Sequence, residues 1–120
     1  MKQTLSSLDS SQIINNLKKG LLDYSPEILI TKTTASTNED AKSYLENQSS
    51  PLSIHLSEQQ VAGKGRNGKK WVSPKGKNIY LSIGWISPLQ YSELNGLSLA
   101  VGTVLASTLN KYAGNLIKIK

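Results

Sequence analysis

Apolar positions recur along the chain with two different periods, and the longer one predicts helices. Residues 9–20, 36–48 and 92–112 place apolar side chains three to four positions apart, as one face of a helix requires. Capping residues support two starts, at Asp9 and Ser36, because a side-chain oxygen there can accept a free backbone N–H. Gly114 fits the end of the third helix.

Shorter apolar segments predict strands. Residues 28–31 form a compact β-branched segment, whereas 52–56, 78–85 and 117–120 alternate between apolar and polar positions. In the clearest strand, alternate residues from Ile79 to Trp85 share one face, and Tyr80, Ser82 and Gly84 share the other. Strands interleaved with helices predict an α/β (α+β) layer structure.

Composition excludes several classes of protein. The 120 residues include no cysteine and a single histidine, so we expect no disulfide, thiolate zinc site or cysteine nucleophile, and no metal site. No apolar segment approaches the roughly 20 residues that a membrane-spanning helix needs. No secretory signal follows Met1. We therefore expect a cytoplasmic protein with no membrane partner.

The positive charge of the chain is concentrated in one segment. The formal net charge is +6, and residues 59–92 contain six of the fourteen cationic residues and no acidic residue. The remaining eight cations balance the eight acids. A broadly basic protein suggests nucleic acid, but charge confined to one segment favours a specific anion site.

The centre of that segment, residues 63–68, matches the G-x-G-x-x-G pattern. In a dinucleotide-binding protein the pattern opens a helix, and an acidic residue follows about 20 positions later. Here Pro74 and Gly76 interrupt any helix, and no acid occurs before Glu93. A protein-kinase loop requires Val where this chain has Lys70. The context therefore excludes both motifs.

Three interpretations of the glycine loop remain open on composition alone. Glycines allow backbone N–H groups to approach an anion closely, while Lys and Arg supply charge-assisted hydrogen bonds. A solvated, flexible surface loop would have a similar composition. A nucleic-acid-binding loop would use Trp71 and Tyr80 as stacking residues.

Three motifs in this chain together resemble biotin–protein ligases. Residues 60–71, QVAGKGRNGKKW, resemble the family's Gly-Arg-Gly-Arg-Arg-Gly-Arg-x-Trp loop. Residues 35–38, ASTN, resemble its Asp-Ser-Thr-Asn turn between a strand and a helix. Ser73-Pro74 and residues 78–82, NIYLS, resemble the segment that follows the loop. The resemblance extends from about residue 29 to residue 120.

The resemblance implies a fold like that of class II aminoacyl-tRNA synthetases and biotin ligases, in which a mixed sheet packs on helices. Residues 28–120 would be part of the catalytic domain, truncated at the carboxyl terminus, and 1–27 a linker with a helix. The implied reaction is adenylation of biotin by ATP, with Mg²⁺, followed by transfer to a lysine of the biotin carboxyl carrier protein of acetyl-CoA carboxylase. Lipoate–protein ligases share this fold and chemistry. The full-length protein would form a homodimer, and nucleic acid would not be its main partner.

The resemblance also implies roles for individual residues. Lys64 and Arg66 would be catalytic, holding the carboxylate and phosphate groups. Biotin would be bound by Ser36, Thr37, Asn38, Gln60, Lys64, Gly65 and Arg66. The loop would face the nucleotide through Gly63, Gly68, Lys69 and Trp71, and Tyr80 and Ser82 would support the pocket. Lys64 and Asn67 stand where the family has arginines, and Ala35 stands where it has aspartate.

Overall fold

The computed structural model describes residues 8–20, 24–47 and 50–118. The chain divides into two compact units, Met1–Ile86 and Ser87–Lys120, which are described separately. The first unit begins with helix α1, Ser10–Gly20. Its start is capped as the sequence predicts: the Asp9 carboxylate accepts the N–H of Gln12 at 2.9 Å.

A three-stranded sheet forms the centre of the first unit, in the order β1 (Glu27–Thr31), β2 (Leu52–Ser57) and β3 (Tyr80–Trp85). β2 runs parallel to β1 and antiparallel to β3. β3 begins two residues later than predicted, because its partner strand ends at Ser57, which pairs with Tyr80. The predicted mixed sheet with helices is confirmed, and the fold is α+β.

Helix α2, Thr37–Asn47, connects the two parallel strands and packs on β2 and β3. It covers the face of the sheet that carries small and polar side chains. A Cβ added to Gly84 would lie 2.8 Å from Leu45 Cδ1 and 3.4 Å from Ala41 Cβ. The glycine therefore allows α2 to lie close to β3, which brings the start of the helix near the ends of the strands.

The other face of β3 is apolar and exposed. Leu81, Ile83 and Trp85 are 44%, 51% and 45% exposed, whereas Tyr80 on the α2 side is 7% exposed. The predicted alternation of the two faces is confirmed. The larger apolar side chains of this strand nevertheless lie outside the buried core, which includes Ala41, Ile54 and Tyr80.

In the second unit, one turn of 3-10 helix, Tyr91–Leu94, precedes helix α3, Leu97–Ala113. The prediction of one continuous helix over 92–112 was wrong at its start, because Gly96 adopts φ +86°, which interrupts helical geometry. The predicted end is confirmed: Gly114 adopts the left-handed conformation, φ +61°.

The last predicted strand does not form over its described residues. Asn110 occupies both backbone groups of Ile117: its Oδ1 accepts the Ile117 N–H and its Nδ2 donates to the Ile117 carbonyl, each at 2.9 Å. These bonds replace those of a strand partner, and residues 119–120 lie outside the described part. Among the helices of the described residues, none has the length and apolar character to cross a membrane.

Candidate functional site

A cavity of about 290 Å³ lies within the first unit, where α2 begins, β2 ends, and the glycine loop approaches β3. It brings together eight of the residues predicted from the sequence, which are Ser36, Thr37, Asn38, Gln60, Lys64, Trp71, Tyr80 and Ser82. Ile79 and Leu81 also line it. Leu81 belongs to the opposite face of β3 from Tyr80 and Ser82, and Ile79 directly precedes that strand, so the cavity reaches side chains beyond the α2 face.

Thr37 connects three elements beneath this cavity. Gln60 Oε1 accepts the Thr37 backbone N–H at 2.8 Å and its hydroxyl at 3.1 Å. Thr37 Oγ1 also lies 2.8 Å from Ser82 Oγ. Since the Gln60 oxygen can only accept, Thr37 donates its single hydroxyl proton to Gln60, and Ser82 donates to Thr37. The start of α2, the segment that follows β2 and the middle of β3 are thereby fixed relative to one another.

The remaining donor of this network is the Gln60 side-chain amide. Its Nε2 lies 3.5 Å from Ser73 Oγ, at the long limit of a hydrogen bond. Ser73 occupies at most one of the two N–H groups of this amide, and the Gln60 side chain lines the cavity. Gln60 also supplies the acceptor that a free N–H of the first turn of α2 requires.

The glycine loop is folded into a narrow hairpin. Trp71 N donates to the Gly63 carbonyl at 2.9 Å, and Gly65 N donates to the Lys69 carbonyl at 2.7 Å. The tip, Arg66–Gly68, contains two residues in the left-handed region, Asn67 with φ +59° and Gly68 with φ +70°. Asn and Gly tolerate that conformation best. This preference explains why residue 67 is Asn and not the arginine of the family's loop.

Two glycines of the loop are needed for close packing. A Cβ on Gly65 would lie 2.5 Å from Trp71 Nε1, and one on Gly63 would lie 3.0 Å from Gln60 Nε2. Gly63 is buried, and Gly65 lies against the edge of the indole. The base of the loop is therefore packed in a defined conformation.

The cations of the loop fall into two groups. Lys64 lines the cavity, and its Nζ lies 4.0 Å from Glu39 Oε1. The second group is Arg66, in the tip, and Lys69, directly after it; both are exposed, as is Gly68 of the tip, and none of the three lines the cavity. The structure thus places Lys64, and not Arg66, beside the other predicted binding residues.

Sequence reasoning missed four residues around the site. Ile79 and Leu81 line the cavity, Glu39 faces Lys64, and Ser73 approaches Gln60. Alternation along β3 had assigned Ile79 and Leu81 to the opposite sheet face. For Glu39 a signal was present, because it directly follows the Ser-Thr-Asn turn.

His55 is a buried titratable side chain on the α2 side of the sheet. His55 is 5% exposed, its ring meets Tyr44 edge-on with 5.7 Å between centroids, and its Nε2 finds no hydrogen-bond partner among the described residues. Burial lowers the pKa of His55 from its ordinary 6.5, and the nearby negative charge of Asp40 opposes this in part. His55 pairs with Ser82 across the strands, so it lies directly beside the Thr37 network.

Comparison with known proteins relates this chain to a family of ligases. Residues 29–120 match the model of the biotin/lipoate A/B protein ligase family. The chain is 32% identical over 123 residues to the bifunctional ligase/repressor BirA of Escherichia coli, covering 100% of this chain and 35% of that protein. It is 42% identical over 65 residues to BirA of Salmonella typhimurium, covering 54% of this chain and 20% of that protein.

A solved structure shares the fold. The biotin protein ligase of Leishmania major, crystallised in complex with biotin, superposes with a TM-score of 0.63 and 25% identity. The match covers 72% of this chain and 34% of that one. The chain thus spans about a third of the length of two of these relatives. Together, the family match over residues 29–120 and the shared fold show that this chain belongs to the biotin/lipoate A/B protein ligase family.

Proposed function

We propose that this chain is part of a biotin–protein ligase. The protein would adenylate biotin with ATP to biotinyl-5′-AMP and transfer the biotinyl group to a lysine of a biotin carboxyl carrier protein. The observation that carries the proposal is the Thr37 network, since it fixes Gln60 and Ser82 beneath a cavity that also holds Lys64 and Trp71. Residues 28–120 would belong to the catalytic domain, and 1–27 would precede it as a linker and helix.

The polar and apolar walls of the cavity suit the two ends of biotin. Ser36, Thr37, Asn38 and the Gln60 amide offer the donors and acceptors that a ureido group requires. Trp71, Ile79 and Leu81 offer apolar surface to the sulfur-containing ring and the aliphatic chain.

In the first step, an oxygen of the biotin carboxylate attacks the α-phosphorus of ATP, and pyrophosphate leaves. Lys64, at the cavity, would hold the carboxylate close to the phosphate and offset the negative charge that two anions bring together. Arg66 and Gly68, in the loop tip, and Lys69, directly after it, would meet the phosphates when the tip moves towards the cavity. Gly63 and Gly65 would allow the close approach of the loop backbone.

A metal ion enters this proposal only as the companion of ATP. The described residues contain no group of three or more His, Cys, Asp or Glu side chains that could hold one. Mg²⁺ usually binds nucleotides through phosphate oxygens and water, with one or two protein carboxylates.

In the second step, the ε-amine of a carrier lysine attacks the acyl carbon of biotinyl-5′-AMP. A biotinyl amide forms, AMP leaves, and the amine loses a proton. Because water would destroy the mixed anhydride, the ligand must be covered, and the Trp71 indole beside the cavity is placed to contribute to this cover.

Titration of the protein with biotin, followed by biotin-dependent pyrophosphate release from ATP, tests the proposal. Gln60→Ala should weaken biotin binding about tenfold, because it removes both the amide donor and the anchor of Thr37. Gln59→Ala is the matched control, since its side chain does not line the cavity. If the protein binds lipoate and not biotin, the lipoate-type alternative replaces this proposal; binding of neither, with salt-dependent nucleic-acid binding, would overturn both.

A further inference from the structure

Glu58 is a buried carboxylate at the base of the glycine loop, two residues before Gln60. It is only 7% exposed. Its Oε1 accepts the backbone N–H of Leu8 at 2.9 Å, and its Oε2 lies 3.5 Å from Lys75 Nζ. A buried carboxylate that lacked these partners would be costly, so the contacts define where the residues around it must lie.

The backbone of Glu58 holds two further segments. Its N–H donates to the carbonyl of Thr31 at 3.2 Å, and its carbonyl accepts the N–H of Gly76 at 3.0 Å. Gly76 adopts φ +66°, which turns the chain back towards β3. Glu58 therefore connects Thr31, at the end of β1, to Gly76, where the loop turns back towards β3.

The two arms of the loop are attached differently. The entering arm is tied by backbone bonds to the segment before α2, from Val61 N to Thr34 O and from Ala62 N to Ala35 O, each 2.9 Å. The returning arm, residues 73–76, is held by Gln60 through a long contact, by Tyr80 through a 2.9 Å bond to Pro74 O, and by Glu58. Glu58 provides the only ion pair of the returning arm within the described residues.

We infer that Glu58 is a positioning residue, which through Lys75 and Gly76 holds the loop so that Lys64 and Trp71 reach the ligand cavity. The identity of the ligand, biotin, rests on the proposed function. The contacts of Glu58 with Leu8, Lys75 and Gly76 do not depend on it. The loop between residues 58 and 76 is long, and closing it costs conformational entropy that the two contacts of Glu58 offset. A loop correctly placed only a tenth of the time would weaken apparent affinity about tenfold.

Lys75 gives the milder variant, because its side chain is 53% exposed whereas Glu58 is buried. Lys75→Met removes the ion pair, and Lys75→Arg retains it. Lys77→Met is the matched control, two positions further on and without an ion pair among the described residues. Glu58→Gln removes the negative charge of the same ion pair. It keeps the shape of the side chain and an oxygen that can accept the Leu8 N–H.

Two measurements separate the inference from the proposed function. In the ligand-free protein, we expect trypsin to cut after residues 64–70 about tenfold faster in Lys75→Met and Glu58→Gln, and at the wild-type rate in Lys75→Arg and Lys77→Met. In the biotin-dependent reaction, we expect the KM for biotin to rise about tenfold in Lys75→Met and Glu58→Gln, while kcat stays within about twofold of the wild type.

The outcomes are distinct. A wild-type protein that does not bind biotin overturns the proposed function, while the tryptic pattern still decides the role of Glu58. Unchanged cleavage in Lys75→Met, equal effects in Lys77→Met, or a loss of kcat without a change in KM would each overturn the positioning role.

Discussion

Lys64 Nζ, at the mouth of the cavity, lies 4.0 Å from Glu39 Oε1 in the first turn of α2. Both side chains are more than half exposed, so the pair is a weak one in water. An anionic ligand that bound Lys64 would therefore compete with Glu39 for the same ammonium group. In the ligand-free protein, the Glu39 carboxylate keeps the Lys64 ammonium group beside the cavity. The same carboxylate repels an anionic ligand.

Replacing Glu39 by Gln should strengthen binding of biotin. Exposed ion pairs are worth about 0.2–1 kcal/mol, so we expect up to about a fivefold gain in affinity at low salt. The gain should shrink as salt screens the pair. Isothermal titration at two ionic strengths measures this, with Glu46→Gln at the exposed end of the same helix as the control. Equal gains from both variants would indicate a general effect of net charge.

Replacing Lys64 by Arg should slow the release of biotinyl-adenylate. A guanidinium binds carboxylate and phosphate oxygens through two parallel hydrogen bonds, whereas an ammonium acts as a point charge. We expect about a tenfold longer lifetime of the complex, measured by chase of labelled biotinyl-adenylate. Lys77→Arg, also cationic but outside this cavity, is the control. Unchanged or faster release from Lys64→Arg would count against the role of Lys64.

Replacing Gly65 by Ala should displace Trp71. The added Cβ would lie 2.5 Å from Trp71 Nε1 and 3.0 Å from its Cδ1, so the exposed indole must move away from the cavity wall. We expect a changed tryptophan emission and about tenfold weaker biotin binding. Gly20→Ala, whose Cβ would meet nothing within 4 Å, should change neither. The idea is falsified if Gly65→Ala binds biotin as the wild type does.

His55 should make stability depend on pH between mildly acidic and neutral conditions. Burial lowers its pKa in the folded chain below 6.5, so above that pH it is neutral in both states. As the pH falls below 6.5, the unfolded chain takes up the proton first, and the free energy of unfolding decreases by at most about 1.4 kcal/mol per pH unit. Thermal melts of the wild type and His55→Gln from pH 7.5 to 5 measure this contribution. His55 is the only histidine, so the variant should lose this dependence.

The sequence predicted the elements of the first unit well because their signals are local. Asp9 caps α1 through its own side chain, and the alternation along β3 separates Tyr80 from Trp85. The helix predicted over 92–112 was wrong at its start for the same reason. Leucine spacing continues across Gly96, and no periodicity reveals that its φ is +86°.

The candidate site was predictable only as a set of residues. The motifs identified Thr37, Gln60 and Ser82, but nothing local indicates that one hydroxyl connects all three. Glu58 was missed because the side chain of an acidic residue that follows a strand is usually exposed to solvent. Its importance comes from Leu8 and Lys75, which are 50 and 17 positions away in sequence.

The hydrogen bonds of Thr37 also constrain how this unit folds. They span 23 residues to Gln60 and 45 residues to Ser82, so neither α2 nor a β1–β2 pair can form the cavity alone. Contacts this distant in sequence slow folding, because the loops between them must close before the contacts can form. A ligand that binds here would recognise only chains in which β3 has already joined the sheet, and it would stabilise those chains by mass action. On the proposed function, biotin would protect completed molecules from unfolding by a free energy that grows with the logarithm of its concentration.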